Sequence, residues 1–195
     1  GRIIGSGGSF VINGGGTFNT LANNLYTGAT VVQGGSTLLY TVSQGQGSPA
    51  TDATAVTLNN GNLVFQGQAS TAAPTVGITT FAHGVTVNAG GGTISAQYGT
   101  FASPTYNVTM SHAIAGAGPL TINTDATSTI TLTAANTISG GVTVSSASTV
   151  LTSGSGTIGT GLVTNNGTLQ FHNTLTAAGG ISGSGNTTVG DGTTS

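Results

Sequence analysis

The sequence predicts an all-β fold, a single-chain parallel β-solenoid, and three observations carry that expectation. A short phrase of β-formers and glycine recurs, apolar residues alternate with period two, and charge is almost absent. The phrase reads Ile4-Gly5-Ser6-Gly7-Gly8-Ser9-Phe10-Val11-Ile12 at its first occurrence. It returns as Ile114-Ala115-Gly116-Ala117-Gly118-Pro119-Leu120-Thr121-Ile122 and as Ile181-Ser182-Gly183-Ser184-Gly185-Asn186-Thr187-Thr188-Val189. Repetition of this kind marks coils that bury a core only by stacking on their neighbours.

In chain order the apolar alternation runs through Phe10/Ile12, Leu58 with Leu63/Phe65, Val85/Val87, Tyr106/Val108/Met110, Ile130/Leu132 and Val142/Val144. Each run is a few residues long and stops at Gly, Asn-Gly or Pro, as short half-buried strands do. Asn13-Gly14, Asn60-Gly61 and Asn166-Gly167 are expected to supply positive-φ turns. No segment carries the 3.6-residue period of an amphipathic helix.

A second layer of copies supports coils. Asn24-Leu25-Tyr26-Thr27-Gly28-Ala29-Thr30-Val31-Val32 aligns without gaps on Asn136-Thr137-Ile138-Ser139-Gly140-Gly141-Val142-Thr143-Val144, and Ser36-Thr37-Leu38-Leu39 on Ser148-Thr149-Val150-Leu151. Gly84-Val85-Thr86-Val87 copies Gly141-Val142-Thr143-Val144. Asn59-Asn60-Gly61-Asn62-Leu63-Val64-Phe65 copies Asn165-Asn166-Gly167-Thr168-Leu169-Gln170-Phe171. Neighbouring phrases lie about 20–29 residues apart, which makes residues 1–195 one solenoid domain of roughly 7–9 rungs. Alike phrases, with Ile4, Ile114 and Ile181 among them, are expected to lie one above another.

Composition narrows the function. Charged residues make up 2% of the chain, against about a quarter in a typical soluble domain. Arg2 is the only base, and Asp52, Asp125 and Asp191 are the only acids. A nucleic-acid partner needs a Lys/Arg stripe to displace counterions, and an anionic membrane surface needs the same, so both are excluded. No apolar run approaches the ~18 residues of a membrane span. There is no cysteine, hence no disulfide or thiolate chemistry. Gly1-Arg2-Ile3-Ile4 leads straight into the first phrase, so the expectation is a mature form or an excised piece.

The ordered series Ile-x-Gly-x-Gly-x-Leu-x-Ile, Asn-x-Tyr-Thr-Gly-x-Thr-x-Val and Gly-x-x-Leu resembles the autotransporter-associated β-strand repeat. Residues 4–38 carry the whole pattern. Residues 114–151 carry a looser copy with Ile138 for Tyr and Val142 for Thr, and residues 181–189 carry the opening phrase alone. The resemblance implies a right-handed β-helix secreted through the outer membrane of a Gram-negative-type bacterium. Passengers of that family act as adhesins, matrix components or carriers of an effector domain. The sequence carries no membrane barrel of the family's kind, so a passenger region is expected. The family has no shared catalytic residues to carry over.

Each kind of site chemistry meets an obstacle. Asp52, Asp125 and Asp191 stand far apart in the chain without a motif between them, unlike the clustered carboxylates of a glycosidase, and read as turn residues. No Gly-x-Ser-x-Gly stands on a strand-to-helix elbow. His83, His112 and His172 are separated by intervals near one and two long rungs, a spacing that would suit a stacked imidazole site. Their phases disagree: His112 shares the inward parity of Val108 and Met110, whereas His172 follows inward Phe171 and should face out. Gly190-Asp191-Gly192 is too isolated for a calcium repeat, and the Gly-rich stretches lack the Lys of a phosphate loop. Thr127-Ser128-Thr129-Ile130-Thr131-Leu132-Thr133 puts four threonines on one side of a strand, as an ice-binding surface would, but only this strand is clean and ordinary strand composition explains it. No catalytic residue, metal site or cofactor is assigned.

The candidate partner-binding residues lie in irregular stretches. Gln44-Gly45-Gln46-Gly47-Ser48 is copied one interval later by Gln66-Gly67-Gln68-Ala69-Ser70, each followed by a proline, and a third stretch holds Tyr98 and Phe101. Stacked one turn apart, these stretches would form a ridge of lateral loops, where function usually sits. Two functions follow as expectations. One is a structural subunit that pairs end to end with copies of itself into a fibre, matrix or surface layer, because the chain opens and closes in repeat phrases without a recognisable polar cap. The other is an adhesin segment that holds a host or matrix glycan or protein through Gln44, Gln46, Gln66, Gln68, Tyr98 and Phe101.

Overall fold

The structure, a computed structural model, describes residues 4–5, 7–20, 25–26, 28–42, 55–67, 77–98, 106–172 and 176–190. In chain order the strands begin β1 (Ile4–Gly5), β2 (Phe10–Ile12), β3 (Thr17–Thr20), β4 (Leu25–Tyr26), β5 (Thr30–Gln33) and β6 (Thr37–Val42). There follow β7 (Val56–Asn59), β8 (Gly61–Gly67), β9 (Gly77–Phe81), β10 (Val85–Val87), β11 (Gly92–Tyr98) and β12 (Tyr106–Met110). Next come β13 (Ile114–Gly116), β14 (Leu120–Thr124), β15 (Ser128–Leu132), β16 (Thr137–Ile138), β17 (Val142–Val144) and β18 (Thr149–Thr152). The last four are β19 (Val163–Asn165), β20 (Thr168–Phe171), β21 (Ile181–Ser182) and β22 (Asn186–Val189).

These strands form a parallel β-solenoid, with no helix among the described residues. The first sheet runs β2-β5-β7-β10-β13-β16, the middle sheet β3-β6-β8-β11-β14-β17-β19-β21, and the third β9-β12-β15-β18-β20-β22. A two-stranded sheet pairs β1 with β4. Sequence neighbours such as β13, β14 and β15 lie in successive sheets, and each pairs with the strand one coil away. Coil length varies widely: the coil that brings Gly61 beside Gly92 is much longer than the one that brings Val163 beside Ile181.

Alternation sorts the side chains. In β8 Gly61, Leu63, Phe65 and Gly67 are buried while Asn62, Val64 and Gln66 are half-buried on the outer face. Stacked coils turn this pattern into columns. One inward column of the middle sheet is Leu38-Leu63-Ile94-Ile122-Val144, with Asn165 below it. Tyr40 stacks on Phe65 at 5.7 Å, and Phe81 meets Phe65 edge-on at 5.2 Å, so three rings fill the interior where the coils are long. Each fully buried aliphatic or aromatic side chain contributes on the order of 1.5–3 kcal/mol.

Polar residues inside the coil are tied between layers. The Asn136 side chain accepts from the Ile114 N–H at 2.7 Å and donates to the Thr157 carbonyl, joining three successive coils. At the turn from middle to third sheet the Ser148 hydroxyl accepts from the Thr124 N–H at 2.9 Å, and the Thr124 hydroxyl donates to the Ser128 carbonyl at 3.0 Å. The buried Ser128 hydroxyl itself has no partner among the described residues.

Glycine solves the corners. Between the first and middle sheets the turns of successive coils approach so closely that a Cβ on Gly118 would overlap the Asn88 carbonyl oxygen. On Gly140 it would strike Gly118, and on Gly179 it would strike Gly161. The column is backbone packed on backbone.

Several expectations need correction. The copies of the opening phrase do not stack: Ile4 stands in the two-stranded sheet, Ile114 in the first and Ile181 in the middle one. The second layer slips likewise, since Gly84-Val85-Thr86-Val87 ends in the first sheet and Gly141-Val142-Thr143-Val144 in the middle one. The phrase encodes a strand, a tight corner and a second strand, and every corner of the coil accepts that unit. At Asn60-Gly61 the asparagine takes the positive φ of 59°, and Gly14 does so at 88°. Asn166-Gly167 has no positive φ; Gly167 is there because a Cβ would meet the Ser145 and Ser148 carbonyl oxygens.

Two substitution pairs test these assignments by chemical denaturation. Gly118→Ala should lower stability by about 1–3 kcal/mol through overpacking, whereas Gly154→Ala, which meets open space at φ 62°, should cost no more than about 1–2 kcal/mol of backbone strain. Ser148→Ala should cost about 1–3 kcal/mol by orphaning the Thr124 N–H, while Ser128→Ala should be neutral or stabilising.

Candidate functional site

Two surfaces stand out from the register: the ends of the long strands of the middle sheet, and the outward columns of hydroxyl side chains.

The first is where the described chain ends next to the stretches singled out in the sequence. Strands β6, β8 and β11 are the long ones of the middle sheet, and their last residues, Val42, Gly67 and Tyr98, stand in register. Residues 43–54, 68–76 and 99–105, which follow these strands, lie outside the described residues. Gln44, Gln46, Gln68 and Phe101 lie outside the described residues. Gln66 and Tyr98 are in strands rather than loops, because the inward alternation Leu63/Phe65/Gly67 carries β8 past Gln66 and pairing with Gly67 extends β11 to Tyr98. Gln66 pairs with Thr41 and Gln97. Gln66 and Gln97 face outward together, half-buried, and offer neighbouring amides near the ends of these strands.

The second surface was invisible in the linear sequence. On the outer face of the middle sheet Thr17, Thr37, Asn62, Thr93, Thr121, Thr143, Thr164 and Ser182 stand in one column, one to each strand. Consecutive members are one strand spacing apart, about 4.8 Å. The intervals between them vary with coil length, so no fixed period in the sequence reveals the column; only the pairing register does. It is a neutral surface of donors and acceptors, with no charge to set a protonation state.

The described aspartate and histidines lie just past strand ends. Asp125 closes its turn, its carboxylate accepting from both the backbone N–H and the hydroxyl of Thr127 at 3.1 Å, as expected of a turn residue. Asp52 and Asp191 lie outside the described residues. His83 and His112 occupy equivalent places on adjacent coils, two residues before the paired Val85 and Ile114. His172 falls one residue out of that column, because it directly follows Phe171, which stands in the column of Phe81 and Met110. His112 is exposed rather than inward, since β12 ends at Met110 and the alternation ends with it; its Nδ1 lies 3.3 Å from the Ser111 hydroxyl. His83 packs edge-on against Phe81 at 5.2 Å. Among the described residues no three His, Cys, Asp or Glu side chains come together as metal ligands.

What remains is a surface suited to shape and neutral hydrogen bonding. No described helix is long and apolar enough to cross a membrane. No family model, no curated protein and no solved structure matches this chain.

Proposed function

We propose that the chain is a non-enzymatic, extracellular structural protein, a β-solenoid unit that stacks head to tail with further copies into a fibre, matrix or surface layer. The observation that carries this reading is the edge strand β22. Among the described strands it pairs with β20 alone, its four residues are exposed, and it reads Asn186-Thr187-Thr188-Val189 without a charge or a proline. Edge strands that must stay single are normally blunted by Lys, Pro or a covering segment. Asn186 and Gly190 donate their N–H groups to the Gly167 and Phe171 carbonyls of the preceding coil. By the alternation of a parallel ladder, the Val189 N–H points away from β20, toward a further layer. Val189 is itself 58% exposed, apolar surface that another coil would cover. The extracellular setting is supported by the resemblance carried by residues 4–38.

Electron microscopy of the pure protein tests this. Fibres are expected, and because charge plays little part they should persist in high salt. Val189→Pro, which removes the outward N–H and keeps the bonds to β20, should abolish them. Soluble monomers at high concentration would reject the proposal.

The ends of β6, β8 and β11, in register at Val42, Gly67 and Tyr98, favour a second reading, an adhesin segment that holds a glycan or protein partner on that side. In that case replacing Gln44, Gln46, Gln66 and Gln68 with alanine should abolish adhesion to the partner surface without unfolding the chain. Adhesion that survives the four replacements rules this reading out.

A further inference from the structure

We infer that the outer face of the third sheet binds ice. The inference does not depend on fibre formation. The single threonine-rich strand of the sequence, β15, becomes one row of a grid once the register is known. In the pairing register one column holds Ile78, Asn107, Thr129, Thr149, Thr168 and Asn186; the next holds Thr80, Thr109, Thr131, Leu151, Gln170 and Thr188. The rows continue past the strand ends into Ser111, Thr133 and Ser153, whose N–H groups bond to the carbonyls of Phe81, Met110 and Leu132.

The grid is two-dimensional and regular. Rows repeat at about 4.8 Å between coils and alternate residues along a strand at about 6.6 Å, so the face presents hydroxyls on a rectangular net, as a crystal face of ice presents oxygens. From Thr129 onward the coils under it are nearly even, since Thr129 pairs with Thr149, Thr149 with Thr168 and Thr168 with Asn186, whereas a longer coil separates Thr80 from Thr109. The hydroxyls of Thr109, Thr129, Thr131, Thr149, Thr168 and Thr188 have no hydrogen-bond partner among the described residues; Thr188 is exposed and the other five are half-buried on the outer face. Each also presents a methyl, around which water orders without being held by charge.

The chemistry of the face excludes the commoner occupants. Asp125 is the only charged side chain described, and Thr127 holds it at the corner, off the two columns. The two columns carry no aromatic ring on which a sugar could stack. The middle sheet fits a crystal plane less well: beside its hydroxyl column stand Leu39, Val64 and Ser95, and Ser95 is buried.

Ice-recrystallisation and thermal-hysteresis measurements on the full chain decide the matter. The protein should arrest crystal growth at concentrations where an unrelated soluble protein does not. Thr131→Lys, which plants a charge at the centre of the grid, should abolish the effect, and Thr188→Lys, on the exposed edge strand, should weaken it without touching the core. Thr86→Lys on the first sheet should leave it unchanged, with circular dichroism confirming the fold of each variant. Wild-type protein without effect on ice, retention of the effect in Thr131→Lys, or equal loss in Thr86→Lys overturns the inference.

Discussion

The ladder between coils is the constraint on which the rest depends. Each strand sees its partners only through the layer before and the layer after it, so the distance between layers is fixed by backbone hydrogen bonds. Corners must meet that same spacing, although nothing about a turn guarantees it. Glycines such as Gly118, Gly140 and Gly179 let the turns close to the ladder distance, because the space of each missing Cβ is taken by the coil beside it. A chain this rich in glycine loses much conformational entropy on folding. The rigid return is a corner no bulkier than the sheets it joins.

How much of this could be read from the residues depends on whether the signal was local. All-β character, short strands and stacked coils follow from alternation and turn residues, which act over a few positions. Position around the coil does not. The phrase at Ile4 and its copies at Ile114 and Ile181 fold into the same strand-corner-strand unit, yet each begins in a different sheet. Sequence similarity reported the local geometry faithfully and said nothing about phase. The same limit misplaced His112, whose parity was extrapolated past the end of β12, and put Gln66 in a loop although alternation continues through it. The hydroxyl columns escaped notice because the interval between members drifts with every coil.

The interior shows how a poorly apolar sequence still makes a core. Tyr40, Phe65 and Phe81 form one cluster of rings, and farther along the inward column of Tyr40 and Phe65 the side chains shrink to Ala96 and Thr124. Where aliphatic residues give out, Asn136, Asn165 and Ser148 take their places and are satisfied by the adjoining layers. Both halves of the inside, oily and polar, are thus finished by neighbours along the axis. Cooperativity should be strongest between adjacent layers and fade with distance.

Uneven coil length has a consequence for how such a chain can change over time. In the middle sheet the interval from Leu63 to Ile94 is far longer than that from Val163 to Ile181, yet the strands at both ends of each interval stay paired in register. Added length between strands therefore leaves the pairing along the axis untouched. Residues can be inserted or lost in such an interval without renegotiating any ladder, so coil length is free to diversify while the sheets keep their order.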